Sequence, residues 1–397
     1  MTSPWVVTGF GLVTAGGDTP GELLRALVCG EPLFRTGPEG FPVAEIHGFD
    51  PRAYLPRKGV KDLSRASQLA CSAASRVAPG LESVAADRVG VVYGSAWGSL
   101  RTVVDFEREA FLEGPRFVDP IRFTETVANV PAGQISIFFG WSAFNATVSA
   151  GAASGLAALL LALDFLEEER AQVAVAGGGD ELNGPMLRTL HSEGVLAASS
   201  GSLPFGAGRT GPVGGEGACV LTVESEDHAR SRAADPAGRI RATASRFAPE
   251  EASGDSPERL LGDLLRETLE GARLAPAAVD LVLLHANGSP AGDALQARAV
   301  RAVFGSGPTA PPVMAPKGVL GETWGASGPL AVVAACEAMR TGTVPGPPRG
   351  LVLDPDLLGL HLPEGTLRRP VRNVLVLDGS TTGHAIALVV STPQERA

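Results

Sequence analysis

Apolar positions in this chain fall in short unbroken runs rather than in strict alternation. Trp5-Val-Val-Thr-Gly-Phe-Gly reads as a short buried strand that ends at glycines. Val89-Gly-Val-Val-Tyr-Gly reads as another and leads into the glycine-punctuated loop Gly94-Ser-Ala-Trp-Gly-Ser. Val173-Ala-Val-Ala, Gly217-Ala-Cys-Val-Leu-Thr-Val and Val374-Leu-Val-Leu show no alternation either, the pattern of strands covered on both faces. Thr19-Pro-Gly-Glu predicts a helix start: Thr as N-cap, Pro at the first helical position and an acid in the first turn. Two Ala-rich segments, from Ala153-Ser-Gly and from Ala326-Ser-Gly, predict helices that can be buried on all sides. Strands alternating with helices predict an α/β fold with a mainly parallel sheet.

These elements recur. Ala153-Ser-Gly-Leu-Ala-Ala resembles Ala326-Ser-Gly-Pro-Leu-Ala, Gly217-Ala-Cys-Val-Leu-Thr-Val-Glu-Ser resembles Gly383-His-Ala-Ile-Ala-Leu-Val-Val-Ser, and Val173-Ala-Val-Ala-Gly-Gly-Gly resembles Val374-Leu-Val-Leu-Asp-Gly-Ser. The offsets lie between about 165 and 200 residues, the span of a duplicated domain and not of a solenoid repeat. The polar, Ala/Arg-rich stretch Asp227 to Gly238 suits a boundary between halves 1–230 and 238–397.

Composition narrows the function. Of 397 residues, 44% are hydrophobic and 50 are glycine, which favours closely layered helices and sheets. A net charge of -10 argues against nucleic-acid or anionic-membrane binding. No apolar run is long enough to span a bilayer, and no basic leader opens the chain, so a soluble cytoplasmic protein is expected. Cys29, Cys71, Cys219 and Cys336 sit among apolar neighbours without any Cys-x-x-Cys pattern, and all four are expected to be reduced and buried. His47, His191, His228, His361 and His384 have no ligand spacing, so no metal and no cofactor is expected.

The motifs carry a resemblance. Asn129-Val-Pro-Ala-Gly-Gln, Thr147-Val-Ser-Ala-Gly-Ala-Ala-Ser-Gly, Ala176-Gly-Gly-Gly-Asp, Leu203-Pro-Phe-Gly-Ala-Gly-Arg with Gly214-Gly-Glu-Gly-Ala, His285-Ala-Asn-Gly-Ser-Pro and Pro316-Lys-Gly-Val-Leu-Gly-Glu together resemble the β-ketoacyl synthases. The likeness runs nearly end to end. It implies the thiolase fold, two α/β halves in an αβαβα layering. It also implies a chemistry: a thiolate activated at the N-terminus of a buried helix, two histidines that stabilise a developing oxyanion, and a lysine with an acidic partner.

Against that pattern the chain departs at several places. The family's cysteine falls on Ala152, and its second histidine on Glu322. The lysine's carboxylate partner falls on Ala331, and the aromatic gate near the C-terminus on Ser380. His285, Lys317 and Asp293 are retained. His285 is read as a core histidine satisfied by backbone, since it has lost its partners. Glu322 admits two readings: a structural ion pair with Lys317, or a general base whose pKa burial raises. The resemblance sets Trp97 at the loop bordering the deep end of the acyl tunnel, as a core aromatic or a bulky plug. It sets Arg122 and Phe123 in the segment that crosses the dimer interface, as tunnel or gating residues, with Arg122 facing the partner's tunnel or else solvated.

A preserved scaffold without its nucleophile resembles a chain-length factor of a type II polyketide synthase. Such a subunit has no condensing activity of its own. It forms a heterodimer with an active ketosynthase and shapes that partner's tunnel, while the acyl carrier protein docks mainly on the partner. Related subunits of aromatic systems commonly carry Gln where Ala152 stands, which points to a polyene-type or other reductive system. Two alternatives remain: a ketosynthase-like enzyme using Glu322 and His285 for acyl transfer, decarboxylation or hydrolysis, and a carrier-protein scaffold with a basic cluster at Arg52, Arg57, Lys58 and Lys61.

Overall fold

The computed structural model describes residues 5–56, 59–247, 256–379 and 383–393. Ten strands form one hydrogen-bonded sheet. The first half supplies β1 (Trp5–Thr14), β2 (Val89–Gly94), β3 (Asn145–Val148), β4 (Val173–Asp180) and β5 (Gly217–Ser225). The second supplies β6 (Gly238–Phe247), β7 (Leu281–Leu283), β8 (Val313–Met314), β9 (Asn373–Gly379) and β10 (His384–Ser391). The order is β3-β2-β4-β5-β1 in one half and β8-β7-β9-β10-β6 in the other. Numbered within each half, both read third, second, fourth, fifth, first. The halves meet where β1 pairs antiparallel with β6 at Trp5, Val6 and Val7.

The sheet is mixed, which corrects the expectation of a mainly parallel one. In each half the first three strands of that order pair parallel, and the remaining two pairings are antiparallel. A parallel neighbour needs a crossover of a dozen or more residues. Only four residues separate Gly379 from His384 in sequence, too few for a crossover, and β10 pairs antiparallel with β9.

Six helices matter here: α1 (Arg65–Val77), α2 (Leu100–Leu112), α3 (Ser154–Glu167), α4 (Pro257–Ala272), α5 (Pro290–Phe304) and α6 (Ser327–Thr341). The strand side chains sort them into layers. Val92, Ala174 and Ala176 face a central core with Leu283, Val374, Val376, Ile386 and Leu388, built around α3 and α6. The alternate residues Val91, Tyr93, Val173 and Val175 face outwards onto α1. Val282, Leu284, Leu375 and Val389 face outwards onto α4 and α5. The resulting order is helix, sheet, helix, sheet, helix.

The Ser-Gly entry shared by α3 and α6 has a packing cause. A Cβ on Gly155 would lie 2.0 Å from the carbonyl oxygen of Gly325. A Cβ on Gly328 would lie 2.4 Å from Leu156 Cγ and 2.5 Å from Asp378 Oδ2. The two central helices therefore begin against one another where neither has a side chain to spare.

The helix Pro20–Cys29 begins as predicted, with Thr19 accepting a hydrogen bond from the Glu22 amide. Cys29 corrects the cysteine expectation. It lies on the solvent side of that helix, opposite Leu23, Leu24 and Leu27, and is exposed. Cys71, Cys219 and Cys336 are buried, and burial pushes the Cys71 and Cys336 thiols up to about 12. The polar stretch after residue 226 folds as a short helix, Glu226–Ser231, before β6 starts at Gly238. No helix among the described residues is long and apolar enough to cross a membrane.

Candidate functional site

β7 and β9 are parallel neighbours, so their carboxyl ends bring His285 and Asp378 together. The segment from β8 into α6 brings Lys317 and Glu322 to the same place. His285 Nδ1 lies 2.6 Å from Asp378 Oδ1 and 2.7 Å from Lys317 Nζ. Lys317 Nζ donates to Glu322 Oε2 at 2.9 Å. His285 Nε2 stands 3.8 Å from that same carboxylate oxygen.

Glu322 is saturated with donors. Its Oε2 accepts from Lys317 and, at 2.8 Å, from the Asn287 amide. Its Oε1 accepts from the backbone N–H of Trp324 and the hydroxyl of Ser327, both at 3.0 Å. Burial by itself would lift this carboxyl. The charges of Lys317 and His285 and the Asn287 hydrogen bond outweigh it, and the pKa is lowered to about 2. This corrects the expectation of a base with a raised pKa. A carboxylate so stabilised holds its charge but binds a proton weakly, and its lone pairs are committed to the turn that starts α6.

His285 is also corrected. It is held by side chains, Asp378 and Lys317, and not by backbone. Asp378 is the residue that sequence reasoning missed. Its Oδ2 is buried without a hydrogen-bond donor among the described residues and faces Gly328, at the N-terminal turn of α6. The helix dipole favours an anion there. The one signal in the sequence is an acid interrupting the apolar run Val374-Leu-Val-Leu. Ala331 is buried inside α6 and offers Lys317 nothing polar. Asp293 holds a separate turn, accepting from the amides of Phe205 at 2.9 Å and Asn287 at 3.0 Å. His285, Asn287 and Asp378 also line a cavity walled by Leu260, Leu261, Leu264 and Leu377.

Ala152 lies immediately before α3, the buried helix whose N-terminus meets Gly325. It packs on an apolar cluster of Val43, Leu182, Met186, Leu187, Leu196 and Trp324, which Trp97 also joins. The site that carries charge and the position that carries the methyl group are thus adjoining but chemically distinct.

Two family models account for most of the chain: β-ketoacyl synthase, N-terminal domain, over residues 2–229, and β-ketoacyl synthase, C-terminal domain, over residues 237–348. The chain belongs to the β-ketoacyl synthase family. Among its relatives is the tetracenomycin polyketide synthase ketoacyl synthase beta subunit of Streptomyces glaucescens, 33% identical over 98% of both chains. Another is 3-oxoacyl-[acyl-carrier-protein] synthase 2 of Coxiella burnetii, 28% identical over 86% of both. The fold matches that of the ishigamide ketosynthase/chain length factor with a TM-score of 0.89 at 23% identity, covering 99% of this chain and 100% of that one.

As a member of this family, the chain has Ala152 ahead of α3 and Glu322 ahead of α6. The remaining expected residues lie apart from the ion cluster. Trp97 stands in the loop after β2. Arg122 is paired with Glu109 at 2.8 Å and lines a polar cleft with Ser64, Gln68, Arg101 and Glu125. Phe123 contacts Phe106, with ring centroids 5.9 Å apart. Ser380 lies outside the described residues.

Proposed function

We propose that this chain is the chain-length factor of a type II polyketide synthase: a β-ketoacyl synthase subunit with no condensing activity of its own, paired with an active ketosynthase whose acyl tunnel it shapes. The observation that carries this reading is alanine at the head of the buried helix α3, in a scaffold that is otherwise intact. No thiolate forms there, and Glu322 presents a fixed negative charge where the family places an oxyanion donor. A carboxylate at that point opposes charge development instead of stabilising it. The tetracenomycin relative is itself named as a beta subunit.

The surface supports a large partner. Phe111, Phe117, Ile121 and Phe123 are 89%, 72%, 75% and 58% exposed, and Leu112, Val127 and Ile137 are exposed beside them in sequence. No residue of α2 is buried although the helix is amphipathic. Exposed large apolar residues concentrated in one stretch of chain, here 111–137, are the pattern of a protein interface. On the sheet edge, the Thr147 hydroxyl of β3 is buried with no hydrogen-bond partner among the described residues. Phe123 is one of these exposed residues and Arg122 adjoins it in sequence, and we assign both to the contact with the ketosynthase. We place the assembly in the cytoplasm, where the unpaired cysteines of this chain persist as thiols.

The alternatives have less support. Glu322 as a general base requires a raised pKa, and the lysine beside it acts in the other direction. For a carrier-binding basic cluster, Arg52 is already tied to Asp50 by hydrogen bonds of 2.6–3.1 Å, and Arg57 and Lys58 lie outside the described residues.

Co-expression with the cognate ketosynthase tests the reading. The two chains are expected to co-purify in equal amounts, and polyketide formation is expected to need both. A ketosynthase that is soluble, homodimeric and fully active without this chain defeats the proposal.

A further inference from the structure

We infer that Trp97 and Trp324 plug the space beyond position 152, so that this subunit is closed to an acyl chain by shape as well as by loss of its nucleophile. The inference rests on the reading of the chain as a non-condensing partner subunit and deepens it. The growing chain then has one place to go, the partner's tunnel.

The two indoles meet edge to face, with centroids 6.1 Å apart and planes at 90°. They belong to the same apolar cluster as Ala152. An alkyl chain attached at position 152 and running into that cluster would have to displace one of them.

Their backbones are tied to each other. Asp180, fully buried at the end of β4, accepts from the Trp97 amide at 2.9 Å, from Ala96 at 3.0 Å and from Gly325 at 2.9 Å, besides the Ser95 hydroxyl at 2.5 Å. One carboxylate therefore joins the Trp97 loop to the Trp324 turn. Glu322 holds the same turn from its other side through the Trp324 amide. Trp324 has φ of +43°, a left-handed conformation that a bulky aromatic adopts only when its surroundings impose it. Two buried carboxylates impose it here. The charge at Glu322 thus has a second consequence: it holds the backbone of Trp324, whose indole belongs to the cluster on which Ala152 packs.

The test compares Ala152→Cys with the triple variant Ala152→Cys, Trp97→Ala, Trp324→Leu, each purified with its ketosynthase. Acetyl and octanoyl N-acetylcysteamine thioesters are the probes. The introduced thiolate attacks the thioester carbonyl, the carbon–sulfur bond breaks, and N-acetylcysteamine leaves as its thiol. Intact-mass spectrometry reads each subunit separately. In the single variant, octanoyl transfer relative to acetyl transfer is expected to be about tenfold or more below that of the triple variant, the scale on which an apolar pocket separates ligands by size. Trp97→Phe in the Ala152→Cys background is expected to fall between them, and it guards against misfolding of the triple variant. Equal octanoyl-to-acetyl ratios in the single and triple variants overturn the plug. Failure of the partner reading is a separate outcome, since the chain then does not co-purify with the ketosynthase, while the ratio is still measured on the chain alone.

Discussion

Replacing Glu322 with Gln removes one charge at nearly constant shape. Its carboxylate is 3% exposed and the Lys317 side chain 6% exposed, so neither is screened by solvent. Breaking such a buried pair leaves Lys317 without its closest anion and costs about 3–5 kcal/mol. The pKa leads to a similar figure: a carboxyl lowered from 4.5 to about 2 by folding contributes about 3 kcal/mol above both values. Because the folded pKa is the lower one, this stability is present above pH 4.5 and is lost as pH falls towards 2. For 397 residues the unfolding entropy is about 0.8 kcal/mol/K, so the loss corresponds to about 4–6 °C in Tm. Melting curves of parent and Glu322→Gln between pH 7 and pH 3 test this. The variant is expected to melt lower at pH 7, and the gap is expected to close on acidification. A variant within a degree of the parent at pH 7, with a parallel acid limb, refutes the claim that Glu322 is an ionised structural anchor.

Other outcomes follow from the same geometry. Gly328→Ala puts a methyl group against Leu156 and Asp378 and is expected to cost about 1–3 kcal/mol in urea unfolding. Asp180 is lifted to about 6 by burial, against hydrogen bonds from Ser95, Ala96, Gly325 and Trp97. Its folded pKa is the higher one, so the parent's stability advantage over Asp180→Asn is expected to shrink as pH rises from 4 through 6. Phe117→Ser and Ile121→Ser are expected to leave the Tm of the isolated chain within a degree or so. Each is expected to weaken binding to the ketosynthase by about 10- to 100-fold, read by titration calorimetry. Ala152→Cys by itself is expected to restore no condensation in a malonyl-carrier assay, because Glu322 still opposes the developing oxyanion.

Some of the site was legible because the information is local. Ala152, Glu322 and Ala331 each stood out as one residue that departs from the motif the sequence resembles. What Glu322 does was half legible: the ion pair with Lys317, present at 2.9 Å, was one of the two readings the sequence left open. Burial alone argues for a raised pKa, and only the arrival of Lys317, Asn287 and Ser327 at bonding distance reverses the sign. Asp378 escaped because its partner His285 lies 93 positions away along the chain. Trp324 escaped because nothing in its neighbours announces a left-handed backbone or an indole turned towards Trp97.

The linear pattern by itself determined the unbroken strands, the two Ser-Gly helices and the duplication, since these follow from side-chain size and period along the backbone. It also put alanine at position 152, the residue on which the proposed function rests. The tertiary structure decided the rest. Strand direction depends on how much chain separates neighbours in space. The state of a buried carboxylate depends on the charges folded around it. Which neighbours a tryptophan meets depends on the fold, and Trp97 meets a second indole, Trp324, from a segment more than two hundred residues away.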